Sequence, residues 1–162
     1  DPKVVEQVTK AVRKVTDKPV IVKLSPNVTD IVEIAKAVEA GGGNGVSLIN
    51  TLLGMAIDIH RRKPVLGNIY GGLSGPAVKP VALRMVHQVY KGVTIPIIGL
   101  GGIMTGTDAI EFMMAGAQAV QVGTATMVDP TAISRIAREM SEYVEQHNLN
   151  SITDIVGAVH QA

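Results

Sequence analysis

Apolar positions along this chain follow two alternating rhythms, a helical period and short unbroken runs. Val4, Val5, Val8, Ala11, Val12 and Val15 recur at helical spacing behind Asp1 and Pro2, an N-cap and a first-turn proline. Lys18-Pro19 breaks that helix, and the β-branched run Val20–Leu24 predicts a buried strand with Ser25-Pro26-Asn27 as its exit loop. Asp30 and Glu33 resemble a capping pair, and Ile31, Ile34, Ala35 and Val38 form the stripe of a helix that stops at Gly41-Gly42-Gly43. Val46–Asn50 is the next strand. Residues 51–76 contain Gly54, Gly67, Gly71, Gly72 and Gly75 and show no helical period, so they read as a long irregular segment. Ala82, Met85, Val86 and Val89 predict a helix over Lys79–Tyr90, followed by a strand at Ile95–Leu100, a short helix at Thr107–Ala115 and a strand at Ala119–Gly123. Asp129-Pro130 repeats the Asp-Pro helix start, with Ile133, Ile136, Ala137 and Met140 as its stripe. A last helix is expected after Ser151, whose partner Asp154 fits a capping box.

The segments Val20–Asn50 and Ile95–Thr124 share one plan: strand, loop, helix ending in Ala-Gly, strand. Such alternation predicts parallel pairing through right-handed crossovers. The expected fold class is α/β, with four parallel strands and flanking helices forming the C-terminal half of a TIM (β/α)8 barrel. A whole barrel typically takes about 250 residues. Residues 1–162 then form a single partial domain, with the N-terminal half of the parent barrel absent; a chain that opens inside a helix cap fits a truncated unit. A small flavodoxin-like sheet is the structural alternative.

Composition narrows the function. Of 162 residues, 46% are hydrophobic and the net charge is +1, which suits a globular core and offers no basic face for nucleic acid. Aromatic residues are 2% with no Trp, too few for base-stacking platforms. No apolar run approaches a membrane span and no secretory signal opens the chain. Without cysteine there is no disulfide, thiolate nucleophile or cysteine-ligated iron–sulfur cluster, and a cytoplasmic setting fits.

The candidate chemistry lies at strand ends. Gly99-Leu100-Gly101-Gly102 follows one apolar run, and Gly123-Thr124 ends another. Two adjacent glycine-ended strands, each leading into a helix, suit a phosphate: the backbone comes close, bare N–H groups point at the anion, and a helix N-terminus attracts it. In βα barrels such a site recurs after the last two strands. A dinucleotide fingerprint fails, because Met104 stands where its third glycine would be.

Alternation puts Ile21, Lys23 and Ser25 on one strand face. Lys23 is either a lumen cation in need of an anion or a strand-end lysine reaching solvent. Asn50-Thr51 at a strand's end reads as a site, with turn chemistry as the alternative. Gly71-Gly72-Leu73-Ser74-Gly75-Pro76 by itself reads as a flexible loop. His60, His87, His147 and His160 show no ligand spacing, so no metal site is expected, and His60-Arg61-Arg62-Lys63 reads as a solvated turn.

Taken in order, Val22-Lys23-Leu24-Ser25-Pro26-Asn27, Ile49-Asn50-Thr51, Gly71–Ala77, Lys79–Leu83, Pro96–Gly102 and Val122-Gly123-Thr124 resemble the dihydroorotate dehydrogenase family. The Leu-Ser-Pro-Asn and Gly-Gly-Leu-Ser-Gly-Pro-Ala forms are similar to its cytosolic subclass, in which a partner subunit carrying FAD and an iron–sulfur cluster passes electrons to NAD. The flavin domain of dihydropyrimidine dehydrogenase has similar motifs and is the nearest competitor.

The resemblance implies an FMN-dependent oxidation of dihydroorotate to orotate in pyrimidine biosynthesis, in which a base takes a proton and hydride passes to the flavin. It places Lys23 beside the flavin's pyrimidine edge and Ile49 and Gly75 along its ring and tail. Gly101, Gly102, Gly123 and Thr124 fall on the phosphate, and Asn50 and Thr51 on the orotate ring. The subclass's cysteine base lies in the absent half, so no catalytic residue is expected in these 162, and the isolated piece is expected to be inactive. Homodimerisation and an electron-transfer subunit are the partners implied. A non-catalytic, phosphate-binding half-barrel that self-assembles is the reading from another functional class.

Overall fold

A computed structural model describes residues 1–160. The chain opens with α1 (Pro2–Arg13), capped by the Asp1 carboxylate, which accepts from Lys3 N–H at 2.8 Å. Strand β1 (Ile21–Leu24), α2 (Ile31–Ala40) and β2 (Gly45–Leu48) follow. Asp30 caps α2 by accepting from the amides of Val32 and Glu33. Next come β3 (Leu52–Met55), β4 (Ile57–Asp58), β5 (Lys63–Pro64) and β6 (Tyr70–Leu73), then a 3-10 turn at Pro76–Val78 running into α3 (Lys79–Tyr90). Strand β7 (Ile97–Leu100), α4 (Gly106–Met114), β8 (Ala119–Gln121), α5 (Thr124–Val128) and α6 (Ala132–Gln146) complete the order, with 3-10 turns at Ile152–Ile155 and Ala158–His160.

The sheet order is β1-β2-β7-β8, all parallel, with β1 and β8 at its edges. Neighbours in space are thus neighbours in chain order, as along the wall of a βα barrel, whereas a flavodoxin-like sheet reverses direction at its first strands. The strands are shorter than the apolar runs predicted, because only their central residues pair.

One face of the sheet carries the core. Leu24, Val46, Leu48 and Ile97 are buried there with Ile31, Ile34 and Val38 of α2, Met85, Val86 and Val89 of α3, and Phe112 of α4. Phe112 is fully buried, and truncating such a ring costs about 3–5 kcal/mol. The opposite, inner face carries the row Lys23–Ser47–Ile98–Ala119 in register, and Ile21 on it is 51% exposed.

Four expectations are corrected. The segment 51–76 is not irregular: β3 and β6 pair antiparallel, Leu52 with Leu73 through Met55 with Tyr70, and β4 pairs with β5. Gly54, Gly71 and Gly72 erase the alternation by which a strand is recognised, so the ladder forms through a pairing that no local pattern announces. The first helix does not reach Val15: α1 ends at Arg13, with Val4, Val8 and Val12 on it 54%, 57% and 41% exposed and Val15 beyond it 83% exposed. Only α2 packs closely on this helix, and Thr9 is the residue buried, its neighbour Gly41 leaving just enough room for it. Asp129-Pro130 does not start a helix. The Asp129 carboxylate accepts from Thr131 N–H at 2.9 Å and α6 begins at Ala132, after the short α5 has already filled Thr124–Val128. The capping box of Ser151 and Asp154 is present, yet it starts only a 3-10 turn, which ends before Gly157 at φ +73°.

Candidate functional site

The C-terminal ends of the four parallel strands frame a cleft of about 320 Å³, within the size range of small-ligand pockets. Every residue singled out from the sequence lines it: Lys23, Ile49, Asn50, Thr51, Gly75, Gly101, Gly102, Gly123 and Thr124. Parallel pairing explains the convergence, since it puts all four C-termini on one rim. None of the four histidines lines the cleft, and no cluster of three metal-ligating side chains exists among the described residues.

The glycine turn after β7 is built tightly. Gly101 and Gly102 take φ +126° and +80°. A Cβ on Gly102 would stand 2.8 Å from the Gly75 carbonyl oxygen and from the Lys79 backbone nitrogen. Only glycine meets both demands. The turn's far end is held by carboxylates. Asp108 Oδ2 accepts from the amides of Met104 and Thr105, each at 2.9 Å, and its Oδ1 receives the Lys79 ammonium at 2.6 Å. Glu111 takes the same ammonium at 2.8 Å. Glu139 accepts from the Gly106 amide, and Arg135 donates to the Met104 carbonyl at 3.1 Å.

These contacts shift proton affinities. Burial alone pushes the Asp108 carboxyl up, but the Lys79 ammonium and the Met104 and Thr105 amides outweigh it and hold the group below its ordinary value. Hydrogen bonds to Asp108 and Glu111 raise Lys79. The Gly106 amide, then Arg135, lower Glu139.

One sequence expectation changes here. The N-terminus of α4 is not open to an anion, because Asp108, Thr105 and Glu139 already occupy its amides. The amides of Gly101, Gly102, Gly123 and Thr124, by contrast, donate to no protein acceptor among the described residues. The open donors are thus the glycine turn after β7 and the start of α5, where Gly123 is the N-cap, rather than the N-terminus of α4.

At the rim's other end, Lys23 is exposed on the inner face and forms no ion pair among the described residues. It lies on the sheet's inner face in register with Ser47, and it lines the cleft. Asn50 folds back so that its side-chain oxygen accepts from Thr51 N–H at 2.9 Å, a turn contact that still leaves its amide nitrogen free. The loop 71–76 is ordered rather than flexible: Gly71–Leu73 sits in a ladder, and Ser74 accepts from the Thr124 hydroxyl at 3.0 Å.

Sequence reasoning missed two participants. Asn27 donates to the Thr51 carbonyl and accepts from Leu53 N–H, both at 3.0 Å, so it joins the exit of β1 to that of β2. Its place in a Ser-Pro-Asn loop signalled a turn but no partner. Lys79, two residues beyond Ala77, reads as an ordinary first-turn residue until Asp108 is brought to it across 29 positions.

A family model described as dihydroorotate dehydrogenase matches residues 1–144. Among curated proteins, the chain is 61% identical over 159 residues to a protein of a Geobacter species, 64% over 154 to one of Desulforamulus reducens, and 62% over 157 to one of Alkaliphilus oremlandii. Each is named "Dihydroorotate dehydrogenase B (NAD(+)), catalytic subunit". The matches cover 98%, 95% and 97% of this chain and 52%, 51% and 52% of those relatives, so the chain spans about half the length of the curated relatives it matches. With a parallel sheet in barrel order, its strand-end motifs gathered on one rim, and a family match along most of its length, the chain belongs to the dihydroorotate dehydrogenase family.

Proposed function

We propose that this chain is the flavin-binding part of an enzyme that oxidises dihydroorotate to orotate with FMN. The observation that carries the reading is the meeting, in one cleft, of unbonded strand-end amides with the free Lys23. FMN fits these residues: open N–H donors suit its phosphate, and nothing stands within 4 Å of where a Cβ on Gly123 would lie. Gly101, Gly102, Gly123 and Thr124 hold the phosphate, and the Thr124 hydroxyl turns from Ser74 to become a fifth donor when the anion binds. Ile49 and Gly75 line the ring and the tail.

When bound, the flavin supplies the two-electron acceptor. Lys23 sets a fixed positive charge at the ring's pyrimidine edge, where reduction concentrates negative charge. Asn50 and Thr51 hydrogen-bond the orotate ring, and Asn27 fixes the Thr51 backbone. No cysteine is present, so the proton-abstracting base of this subclass belongs to the part of the enzyme outside residues 1–162. These residues form one partial domain, and further strands close its inner face in the intact protein. The relatives' name, a catalytic subunit with NAD(+), supports a partner subunit and NAD as electron acceptor; that partner carries FAD and an iron–sulfur cluster in this proposal, which sets the enzyme in a cytoplasmic pyrimidine pathway. No helix among the described residues is long and apolar enough to cross a membrane.

The test is reduction of the intact protein by dihydroorotate, followed through the visible flavin spectrum. Lys23→Ala is expected to keep FMN and slow bleaching by about a hundredfold, the scale of one lost electrostatic stabiliser. Asn50→Ala is expected to weaken orotate binding and spare FMN. Wild-type bleaching in Lys23→Ala would overturn the assignment of that residue.

A further inference from the structure

The segment Gly101–Thr105 is fastened at both ends to one residue. At its start, Gly102 lies against the Lys79 backbone so closely that a Cβ would approach the Lys79 nitrogen and Cβ to 2.8 Å. At its finish, the Lys79 ammonium binds Asp108 at 2.6 Å, and the other oxygen of Asp108 takes the amides of Met104 and Thr105. An ordinary capping box needs only the reciprocal bonds between Asp108 and Thr105, which are also present. The ammonium is an addition to that motif, and it comes from a helix 29 residues earlier in the chain.

The consequence is a division of amides. Those of Met104, Thr105 and Gly106 are consumed by Asp108 and Glu139, while those of Gly101 and Gly102 stay unbonded over the cleft. A two-glycine turn with positive φ at both positions has little stiffness of its own. Something must hold its amides convergent before a ligand arrives, or binding loses the free energy of ordering them.

We infer that the Lys79–Asp108 pair, supported by Glu111, is a positioning clamp that presets the Gly101 and Gly102 amides for a ligand phosphate. The inference rests on the FMN reading above and assigns its phosphate affinity to residues that touch no ligand. The pair is well placed for this: the side chains of Lys79 and Asp108 are only 25% and 14% exposed, so the contact is shielded from solvent.

The clamp is tested by the ratio of FMN to riboflavin affinity in the intact apo-protein, since the two ligands differ only by the phosphate. Wild type is expected to favour FMN by at least about a hundredfold, as two charge-assisted hydrogen bonds require. Lys79→Met and Asp108→Asn are each expected to reduce that ratio about tenfold with riboflavin affinity unchanged, within the usual range of coupling between sites. Lys79→Arg, which still reaches both carboxylates, is expected to restore it. Should the first two variants fail to fold, Glu111→Gln removes only the more exposed partner and is expected to lower the ratio about fivefold, the low end of such coupling. A wild-type ratio near one would sink the phosphate reading itself. A high wild-type ratio that survives in the foldable variants would overturn the clamp alone. So would an equal loss of both ligands, which marks a merely structural pair.

Discussion

The two glycine-bearing strand ends look alike in sequence and are opposite in construction. After β7, Gly101 and Gly102 have positive φ and lie against Ala82, Gly75 and Lys79. After β8, Gly123 has φ −116° and ψ −83°, outside the usual helical and extended regions, but no atom lies within 4 Å of where its Cβ would stand. The first turn needs glycine to fold. The second meets no neighbour that a Cβ would strike, so the space it leaves bare serves whatever enters the cleft. A glycine in a binding loop can therefore answer to the fold or to the ligand, and only the surroundings tell which.

Substitution separates the two. Gly102→Ala is expected to lower unfolding free energy by about 2–4 kcal/mol, from strained φ and a backbone clash, as measured by chemical denaturation without ligand. An unchanged midpoint would dissolve the contrast. Gly123→Ala, which meets no clash and only a mildly unfavourable φ/ψ pair, is expected to cost about 1 kcal/mol of stability while weakening FMN binding about tenfold or more. If stability falls as far as in Gly102→Ala, the β8 end is as constrained as its neighbour.

Acid sharpens the comparison. The Asp108 and Glu139 carboxyls sit below their ordinary values, so their ionised forms stabilise the fold. That contribution is complete above the unfolded values, at about pH 4, and is lost as pH falls through the lower folded values. The β8 end is held by the Gly123 carbonyl, which accepts from the amide and hydroxyl of Thr126 and does not titrate. Hydrogen exchange below about pH 4 is expected to speed at Met104–Gly106 relative to Thr126, after correction for intrinsic rates. Asp108→Asn is expected to erase the acid step at Met104 and Thr105; its persistence would assign the step to another group.

The smallest expected effect is that of Thr124→Val. It removes the 3.0 Å bond to Ser74 and one donor to the cleft. A loss of about 1 kcal/mol corresponds to about fivefold in FMN affinity. Isothermal titration would resolve it, and no change would remove the Thr124 hydroxyl from the site.

Much of this architecture was legible in local pattern. Ile31, Ile34, Ala35 and Val38, and likewise Ala82, Met85, Val86 and Val89, mark the buried faces of α2 and α3 because a helix repeats its face every few residues. Eight of the nine proposed site residues lie at ends of strands that run parallel, which puts them on one rim, whereas Gly75 follows the antiparallel β6 and was reached only through the family's motif order. Less legible was whatever depends on a partner distant in sequence. The stripe of α1 is regular, yet most of its valines face solvent because only one helix packs closely on it. The β3–β6 ladder joins glycines that carry no strand signal. Asn27, Lys79 and Asp108 acquire their roles from contacts made across 24 to 29 positions.

By itself, then, the sequence determined the alternation of strand and helix, the parallel order that follows from it, and the rim on which polar residues and glycines collect. Those properties arise from periodicity and from short-range steric preference, which act between neighbours in the chain. Tertiary structure alone decided which glycine the fold requires, which amides are consumed by carboxylates and which stay open. Those depend on atoms a few ångströms apart in space and dozens of residues apart in the chain, where packing chooses the partner and no local pattern records the choice.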